Sequence, residues 1–444
     1  MRYYLDPFGC VKNQVDAETM MAYLNRSGWV SVSDAAEADV IIINSCGFIE
    51  SAKQESINAV LAYRNCYPDT KIILAGCLAQ RYAQDISLPE ADLLFGNRDL
   101  SHITEAVSCA LKGERTVLIP ETPVCPHNPP LTGRPLLSLP GSAYIKISEG
   151  CNNRCTFCSI PLIRGDLVSR TVPDVLQECR ELLDRGIKEL CLIGQDLGSY
   201  GTDRAGGQLP ELLEALSLLE GTFWVRLLYI HPDRFPLSIL ELIRQDSRFL
   251  PYFDLPFQHG SAAILRAMNR QGTAESYLAL LAKIWDILPD ATIRSTFLTG
   301  FPGETDADFQ ALLDFQEAAQ LDWVGCFTYS REEDTPAYSL KPRVSKAVAA
   351  ARKARIEEQQ TPITEKRMDR FIGRTLEVLV EERFLGDAEA EGLYLGRLAC
   401  QAPEVDGAAV ITSDQELHVG SYIRCRVFAR AGFDLEVHPD DAQN

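Results

Sequence analysis

Three cysteines fall within eight residues in Cys151-Asn-Asn-Arg-Cys155-Thr-Phe-Cys158, directly after an apolar run over 143–148 that reads as a strand. Thiolates are the usual ligands of iron–sulfur clusters, and a cubane cluster has four irons to ligate. Three local ligands leave one iron open to bind and polarise a small molecule. Structural zinc is one alternative, but a closed zinc site wants a fourth Cys or His, and the nearest downstream histidine is His231. A redox pair of Cys155 and Cys158 is another, and it leaves Cys151 without a role.

A second triplet is dispersed. Cys10, Cys46 and Cys77 each come just after one of the first three apolar runs, at separations of 36 and 31 residues. Each separation is about one βαβ unit of roughly 30 residues. In a parallel sheet, loops at the carboxyl ends of the strands converge on one crevice, so three thiols distant in sequence meet at one edge. Buried core cysteines are common, yet those sit inside strands or helices rather than one step beyond a strand. A second three-thiol cluster site is the favoured reading. Cys66 and Cys109 break the rule and receive no role, and Cys125 with His127 in a proline-rich stretch reads as incidental.

The first triplet resembles the Cys-x3-Cys-x-aromatic-Cys loop of the radical S-adenosylmethionine (SAM) superfamily. Gly9-Cys10-x-Lys-Asn13-x-x-Asp16, Asn44-Ser45-Cys46-Gly-Phe48 and Ala75-Gly76-Cys77-Leu-Ala-Gln80-Arg-Tyr82 resemble the three cysteine motifs of the methylthiotransferase family within it. Asp6-Pro7-Phe8 departs from the family's usual Thr/Leu-Gly step but leaves Cys10 in place. The resemblance implies two [4Fe–4S] clusters, one that cleaves SAM to a radical and an auxiliary one that carries the sulfur. It also implies a low-potential electron donor such as flavodoxin or ferredoxin, and no side chain acting as general acid or base. Phe157 beside the adenine, Gln195, Gln258, Arg294, Gly300 and Glu304 look like the family's SAM contacts. Arg164, in an Arg-Gly stretch, either reaches an anion such as a SAM or substrate carboxylate or forms an internal ion pair.

These residues need elements to hold them. Short apolar runs alternate with helical stretches near 13–27, 50–64, 78–85 and 99–111, which predicts an open parallel α/β domain over 1–112. Seven prolines between 113 and 140 predict an extended linker. From 141 to 340, strands near 143–147, 189–194, 224–230, 252–256, 292–298 and 324–329 alternate with helices and suggest a partial (β/α)6 barrel. By analogy with full barrels, its chemistry belongs at the strands' carboxyl ends. Residues 341–374 read as a helical connector interrupted by Pro362. Over 375–444, alternating short strands with glycine turns predict a small all-β barrel of OB type, resembling the TRAM domain that ends methylthiotransferases. Cys400 and Cys425 are expected there as structural residues.

The 444-residue chain has 46% hydrophobic and 24% charged residues, as expected of a soluble multidomain protein. No run is long enough to span a membrane. The start lacks a secretory core, and fourteen cysteines in such a chain point to metal or redox chemistry rather than disulfides, and so to the cytoplasm. The formal charge is −19. From Phe371 to Asn444 there are 6 Arg, no Lys and 14 Asp plus Glu, giving 6 − 14 = −8. A surface that binds RNA displaces counterions with basic residues, so this balance favours a basic protein over a nucleic acid. Ser330-Arg-Glu332-Glu333-Asp334-Thr335 and Pro256-Phe-Gln258-His259 resemble the family branch that methylthiolates the β-carbon of an aspartate in ribosomal protein S-twelve of the small subunit. Methylthiolation of a transfer-RNA adenosine is the alternative within the family, and a non-catalytic iron–sulfur electron carrier is the alternative outside it.

Overall fold

The computed structural model describes residues 1–113, 115–124, 133–384 and 392–440, so Cys125 and His127 lie outside the described residues. Strands β1 (Arg2–Pro7), β2 (Val30–Ser31), β3 (Val40–Ser45), β4 (Lys71–Gly76), β5 (Leu93–Phe95) and β6 (Val117–Leu118) form one parallel sheet in the order β2-β1-β3-β4-β5-β6. Val40-Ile41-Ile42-Ile43 and Ile72-Ile73-Leu74-Ala75 are fully buried, as expected when both faces of a parallel sheet are covered. Helices α1 (Val11–Arg26) and α4 (Ile103–Leu111) pack on one face, α2 (Glu50–Cys66) and α3 (Cys77–Tyr82) on the other. The winding reverses between β1 and β3. That switch point is where open α/β sheets bind ligands beyond the strands' carboxyl ends.

The expected linker over 113–140 needs correction at both ends. Strand β6 pairs with β5, Gln80 Nε2 donates to the Pro120 carbonyl (3.1 Å) and Val124 N to that of Arg98 (2.7 Å), so residues 115–124 belong to the first domain. At the other end Arg134 is buried and bonded to Glu18 of α1 and to Glu178. A run of prolines stiffens a chain, but it does not prevent that chain from packing.

The second domain contains β7 (Ser142–Lys146), β8 (Ser148–Glu149), β9 (Val168–Ser169), β10 (Glu189–Ile193), β11 (Trp224–Leu227), β12 (Phe249–Asp254), β13 (Thr292–Thr299) and β14 (Trp323–Thr328). Six of them form an open parallel sheet, β14-β13-β12-β11-β10-β7, while β8 and β9 make a small antiparallel pair. Helices α5 (Ile160–Arg164), α6 (Val172–Asp184), α7 (Leu209–Ser217), α8 (Ile239–Gln245), α9 (Ala262–Ala267), α10 (Ala274–Ile287) and α11 (Asp306–Ala319) return the chain between strands. Thr171, Ser261, Thr273 and Thr305 cap four of them by accepting a backbone N–H three residues on. Strand side chains alternate: Ala143, Ile145, Leu190, Leu192, Val225 and Leu227 pack against the helices, while Tyr144, Cys191, Ile193 and Tyr252 face inward.

Helix α12 (Lys346–Asp369) runs unbroken through Pro362, contrary to the expected interruption. Gln360 Nε2 donates to the Leu321 carbonyl (2.9 Å) and Thr364 Oγ1 to that of Asp322 (2.8 Å), so anchors on both sides hold the helix across the lost hydrogen bond. The chain ends in a closed barrel of β15 (Thr375–Phe384), β16 (Gly392–Leu398), β17 (Ala409–Ser413), β18 (Tyr422–Ala431) and β19 (Asp434–Pro439), with Cys400 and Cys425 buried.

That small barrel plugs the inward face of the larger sheet. Buried Glu189, at the start of β10, pairs with Arg226 (2.7 Å) and with Arg397 of β16, which also reaches Glu381 (2.6 Å). Burial pushes the Glu189 carboxyl up, but Arg397 and Arg226 outweigh it and pull the group down to about 2 from 4.5. Such a shift stabilises the fold fully above pH 4.5 and loses its effect as pH falls through 2. Glu189→Gln is expected to lower unfolding free energy at pH 7 by about 3 kcal/mol. It should also flatten the decline in stability between pH 4.5 and 2, measured by denaturant titration. Parent and variant curves that run parallel through that window would refute the assignment.

Candidate active site

The two thiol triplets come to one place. Cys46 and Cys77 follow β3 and β4 directly and Cys10 follows β1, on adjacent strands. Gly9 lies in the left-handed region (φ 94°), where a Cβ would stand 3.1 Å from Cys46 Cβ. A Cβ on Gly47 would stand 2.7 Å from the Cys77 carbonyl oxygen. The three loops therefore touch, and glycine is required where they do.

Asn13 joins them. Its Nδ2 donates to the Phe8 (2.8 Å) and Ser45 (2.9 Å) carbonyls, and its Oδ1 accepts from Cys77 Sγ (3.2 Å) and from Arg164 Nη2 (3.0 Å). One amide so fixes the loop before Cys10, the strand end before Cys46, and the Cys77 sulfur. Asn97 Nδ2 also donates to Cys77 Sγ (3.3 Å).

The compact triplet is held just as closely. A Cβ on Gly150 would fall 2.0 Å from the Asp166 carbonyl oxygen, so Cys151 starts where two backbone segments cross. Thr156 bonds to the Ala267 and Met268 carbonyls (2.7 and 3.1 Å), Asn269 reaches the carbonyls of Asn153 and Arg154, and Asn153 Nδ2 donates to Asp196 (2.8 Å).

Between the triplets lies a cavity of about 420 Å³ lined by all six thiols. Burial pushes Cys151 up to about 11, and Cys158 and Cys77 up to about 12. Thiols held protonated by burial become thiolates when a cation takes the proton's place. Among the described residues no group of His, Cys, Asp or Glu has the arrangement of a single-ion site. A donor set of thiols alone, in threes around a roomy cavity, fits iron–sulfur clusters rather than zinc.

Beside the cavity, four buried charges lock the two domains. Arg164 pairs with Asp16 (2.8 Å) and Glu149 (2.7 Å), and Lys146 pairs with Glu149 (2.5 Å) and also with Asp16. Burial alone would raise Glu149, but Arg164 and Lys146 bring it down to about 2. Arg164 is therefore committed to internal ion pairs and lies 3.6 Å from Cys77 Sγ, so it is not a free anion receptor. A second tether runs through Glu332, paired with Lys53 (3.1 Å) and Arg81 (2.9 Å), while Arg81 also bonds the Glu333 carbonyl (2.8 Å). Arg81 lies on α3, which begins with Cys77.

Of the residues expected to contact SAM, Phe157, Gln195 and Gln258 line the cavity, and three others do not. Arg294 is bonded to Asp406 (2.6 Å) of the terminal domain, which also accepts from Tyr252 (2.6 Å). Glu304 accepts from the backbone N–H groups of Gly300 and Phe301 and pairs with Arg352 (3.2 Å), closing the turn after β13. His259 is buried, its Nδ1 accepting from Ser261 N (2.9 Å). Lys12, part of the first cysteine motif but given no role there, also lines the cavity, as do Tyr229 and Phe327, which the sequence did not single out. No motif marks Tyr229, but its left-handed backbone (φ 70°), shared by Gln258, is the sort of local strain that gathers at functional sites.

Three outcomes follow from this geometry. Arg164→Met leaves Asp16 and Glu149 buried against Lys146 alone and is expected to cost about 3–5 kcal/mol in denaturant unfolding; a loss below about 1 kcal/mol would contradict the quartet. Gln258→Ala should weaken SAM binding by about tenfold in equilibrium dialysis. Arg294→Ala should leave SAM affinity within about twofold while lowering stability, and a larger effect on affinity would return Arg294 to the site.

Residues 2–96 match the model of an uncharacterized protein family, UPF0004, residues 145–315 the radical SAM superfamily, and residues 372–439 the TRAM domain. Among solved structures, the radical S-adenosylmethionine methyltransferase TsrM from Kitasatospora setae superposes with a TM-score of 0.57 over 76% of this chain and 74% of its own. At 15% identity that likeness is one of fold. Relatives named ribosomal protein uS12 methylthiotransferase RimO align end to end. That of Treponema denticola is 46% identical over 97% of this chain and 99% of its own, and that of Pseudothermotoga lettingae 38% identical over 98% and 99%. Membership of the radical SAM superfamily carries a [4Fe–4S] cluster and SAM with it. From the order of its three matched regions and the full-length identity of its relatives, the chain belongs to the radical SAM methylthiotransferase family, among the ribosomal protein uS12 methylthiotransferases.

Proposed function

We propose that this protein transfers a methylthio group to the β-carbon of an aspartate in ribosomal protein uS12. The reading includes a [4Fe–4S] cluster on Cys151, Cys155 and Cys158, an auxiliary one on Cys10, Cys46 and Cys77, and SAM between them. The observation that carries it is the single cavity lined by both triplets. Its relatives' name supplies the protein substrate. When bound, the clusters and SAM supply the sulfur and the one-electron chemistry that an unactivated C–H bond demands.

The chain's own residues position and enclose. Asn13 and the Arg164 quartet set one triplet against the other, so that reacting groups meet without a search. Phe48, Phe157, Ile160, Pro161, Ile163 and Phe327 give the cavity apolar walls that displace water. Phe157, Gln195 and Gln258 are assigned to SAM.

The electron is assigned to a low-potential donor such as a flavodoxin or ferredoxin. The acidic balance of the terminal barrel, −8 between Phe371 and Asn444, supports a basic protein substrate over RNA. No helix among the described residues is long and apolar enough to cross a membrane, in keeping with an assignment to the cytoplasm.

Anaerobic incubation with SAM, a strong reductant and ribosomal protein uS12 should add one methylthio group to an aspartate, read by peptide mass. Cys46→Ala and Cys151→Ala should each retain about half of the iron of the parent and form no product. A methylthiolated transfer RNA beside an unmodified protein would overturn the substrate. Full iron content in Cys46→Ala would overturn the auxiliary cluster.

A further inference from the structure

Lys12 is a buried cation with no carboxylate in salt-bridge contact, although Asp254 and Glu149 act on it from farther off. It is only 5% exposed and lines the cavity that holds the six thiols. Its buried neighbours Arg164 and Lys146 each pair with two carboxylates. Among the described residues, by contrast, no carboxylate lies within 4 Å of Lys12 Nζ and no hydrogen bond leaves it. What it does contact is the face of Tyr229, with Nζ 2.9 Å from the ring centroid. Tyr229, like Arg154 and Gln258, is a cavity residue held at positive φ, so the chain sustains local strain to keep that ring beneath the ammonium.

Leaving a charge buried and unpaired is costly. An ammonium that faces a cavity in this condition is completed by whatever anion enters. We propose that Lys12 receives the side-chain carboxylate of the target residue, and so selects an aspartate and fixes its reacting carbon. This assignment rests on the substrate proposed above and names the group that recognises it. In an aspartate, the β-carbon is bonded directly to the carboxylate carbon. Anchoring the carboxylate therefore holds the reacting C–H one bond away, which is the positioning a radical abstraction needs. Lys12 stands two residues from Cys10 at the start of α1, on the side of the dispersed triplet. SAM has a carboxylate too, but its cluster belongs to the other wall.

The test uses the holoenzyme with both clusters, as parent, Lys12→Gln and Lys12→Arg, with iron and sulfide content measured first. The probes are a fluorescent uS12 peptide carrying the target aspartate and the same peptide with asparagine, read by anisotropy, and SAM read by equilibrium dialysis. The parent is expected to prefer the aspartate peptide by about ten- to a hundredfold. Lys12→Gln should bring that ratio near one with SAM affinity within about twofold, and Lys12→Arg should retain part of the preference. An unchanged ratio in Lys12→Gln overturns the proposal. So does a fall in SAM affinity as large as the fall in peptide affinity, or a loss of iron that shows Lys12 serving the thiols. A parent that modifies uS12 without preferring aspartate to asparagine overturns the Lys12 assignment alone. A parent that binds and modifies neither peptide nor protein overturns the substrate reading and this assignment with it.

Discussion

The structure depends on the buried quartet of Asp16, Lys146, Glu149 and Arg164. One member comes from the first domain and three from the second, and none has appreciable solvent access. Asp16 is neutralised, and Arg164 and Lys146 each gain their second carboxylate, only when the two domains sit in one register. Any slide between them would leave a carboxylate or a guanidinium buried without its counter-charge, at a cost of several kcal/mol. An apolar interface tolerates small displacements because dispersion is not directional, whereas ion pairs held at 2.5–2.8 Å do not. A reaction that brings groups from two domains to a single carbon needs that kind of register. The quartet touches the chemistry directly as well, since Arg164 lies beside Cys77 Sγ and Asn13 Oδ1.

The same logic recurs elsewhere in the molecule. Glu332 draws Lys53 and Arg81 of the first domain onto the loop after β14, and Arg134 ties the end of the linker to Glu18 and Glu178. Below the site, Glu189, Arg226, Arg397 and Glu381 bind the terminal barrel to the sheet, with Arg294 and Tyr252 meeting Asp406 beside them. The terminal barrel thereby covers the inward face of the sheet from beneath. The residues that seat it are buried arginines and glutamates.

In this setting Lys12 is conspicuous. Arg164 and Lys146 beside the site pair with carboxylates, whereas Lys12 faces the cavity over an aromatic ring held in a strained conformation. Two neighbouring positions in one helix turn thus do opposite jobs. Asn13 satisfies the protein's own groups, and Lys12 stays available for a ligand.

Much of this was legible in the chain. The six thiols, the two α/β bodies and the terminal β-barrel follow from residue type, period and spacing, because strands of a parallel sheet deliver their following loops to one edge whatever the details of packing. That rule also brought together Cys10, Cys46 and Cys77, which lie dozens of residues apart. What only the tertiary structure decided is the fate of the long polar side chains. Arg164, Arg294 and Glu304 carry the same local signals as ligand-binding residues, yet each is consumed by a partner between 4 and 148 residues away. Tyr229 carries no such signal, and Lys12 stands in the first cysteine motif without a role of its own read from it; both face the cavity. A side chain of several rotatable bonds goes to whichever counter-charge the fold places within reach, and that choice depends on the packing of distant segments, which spacing along a sequence does not encode.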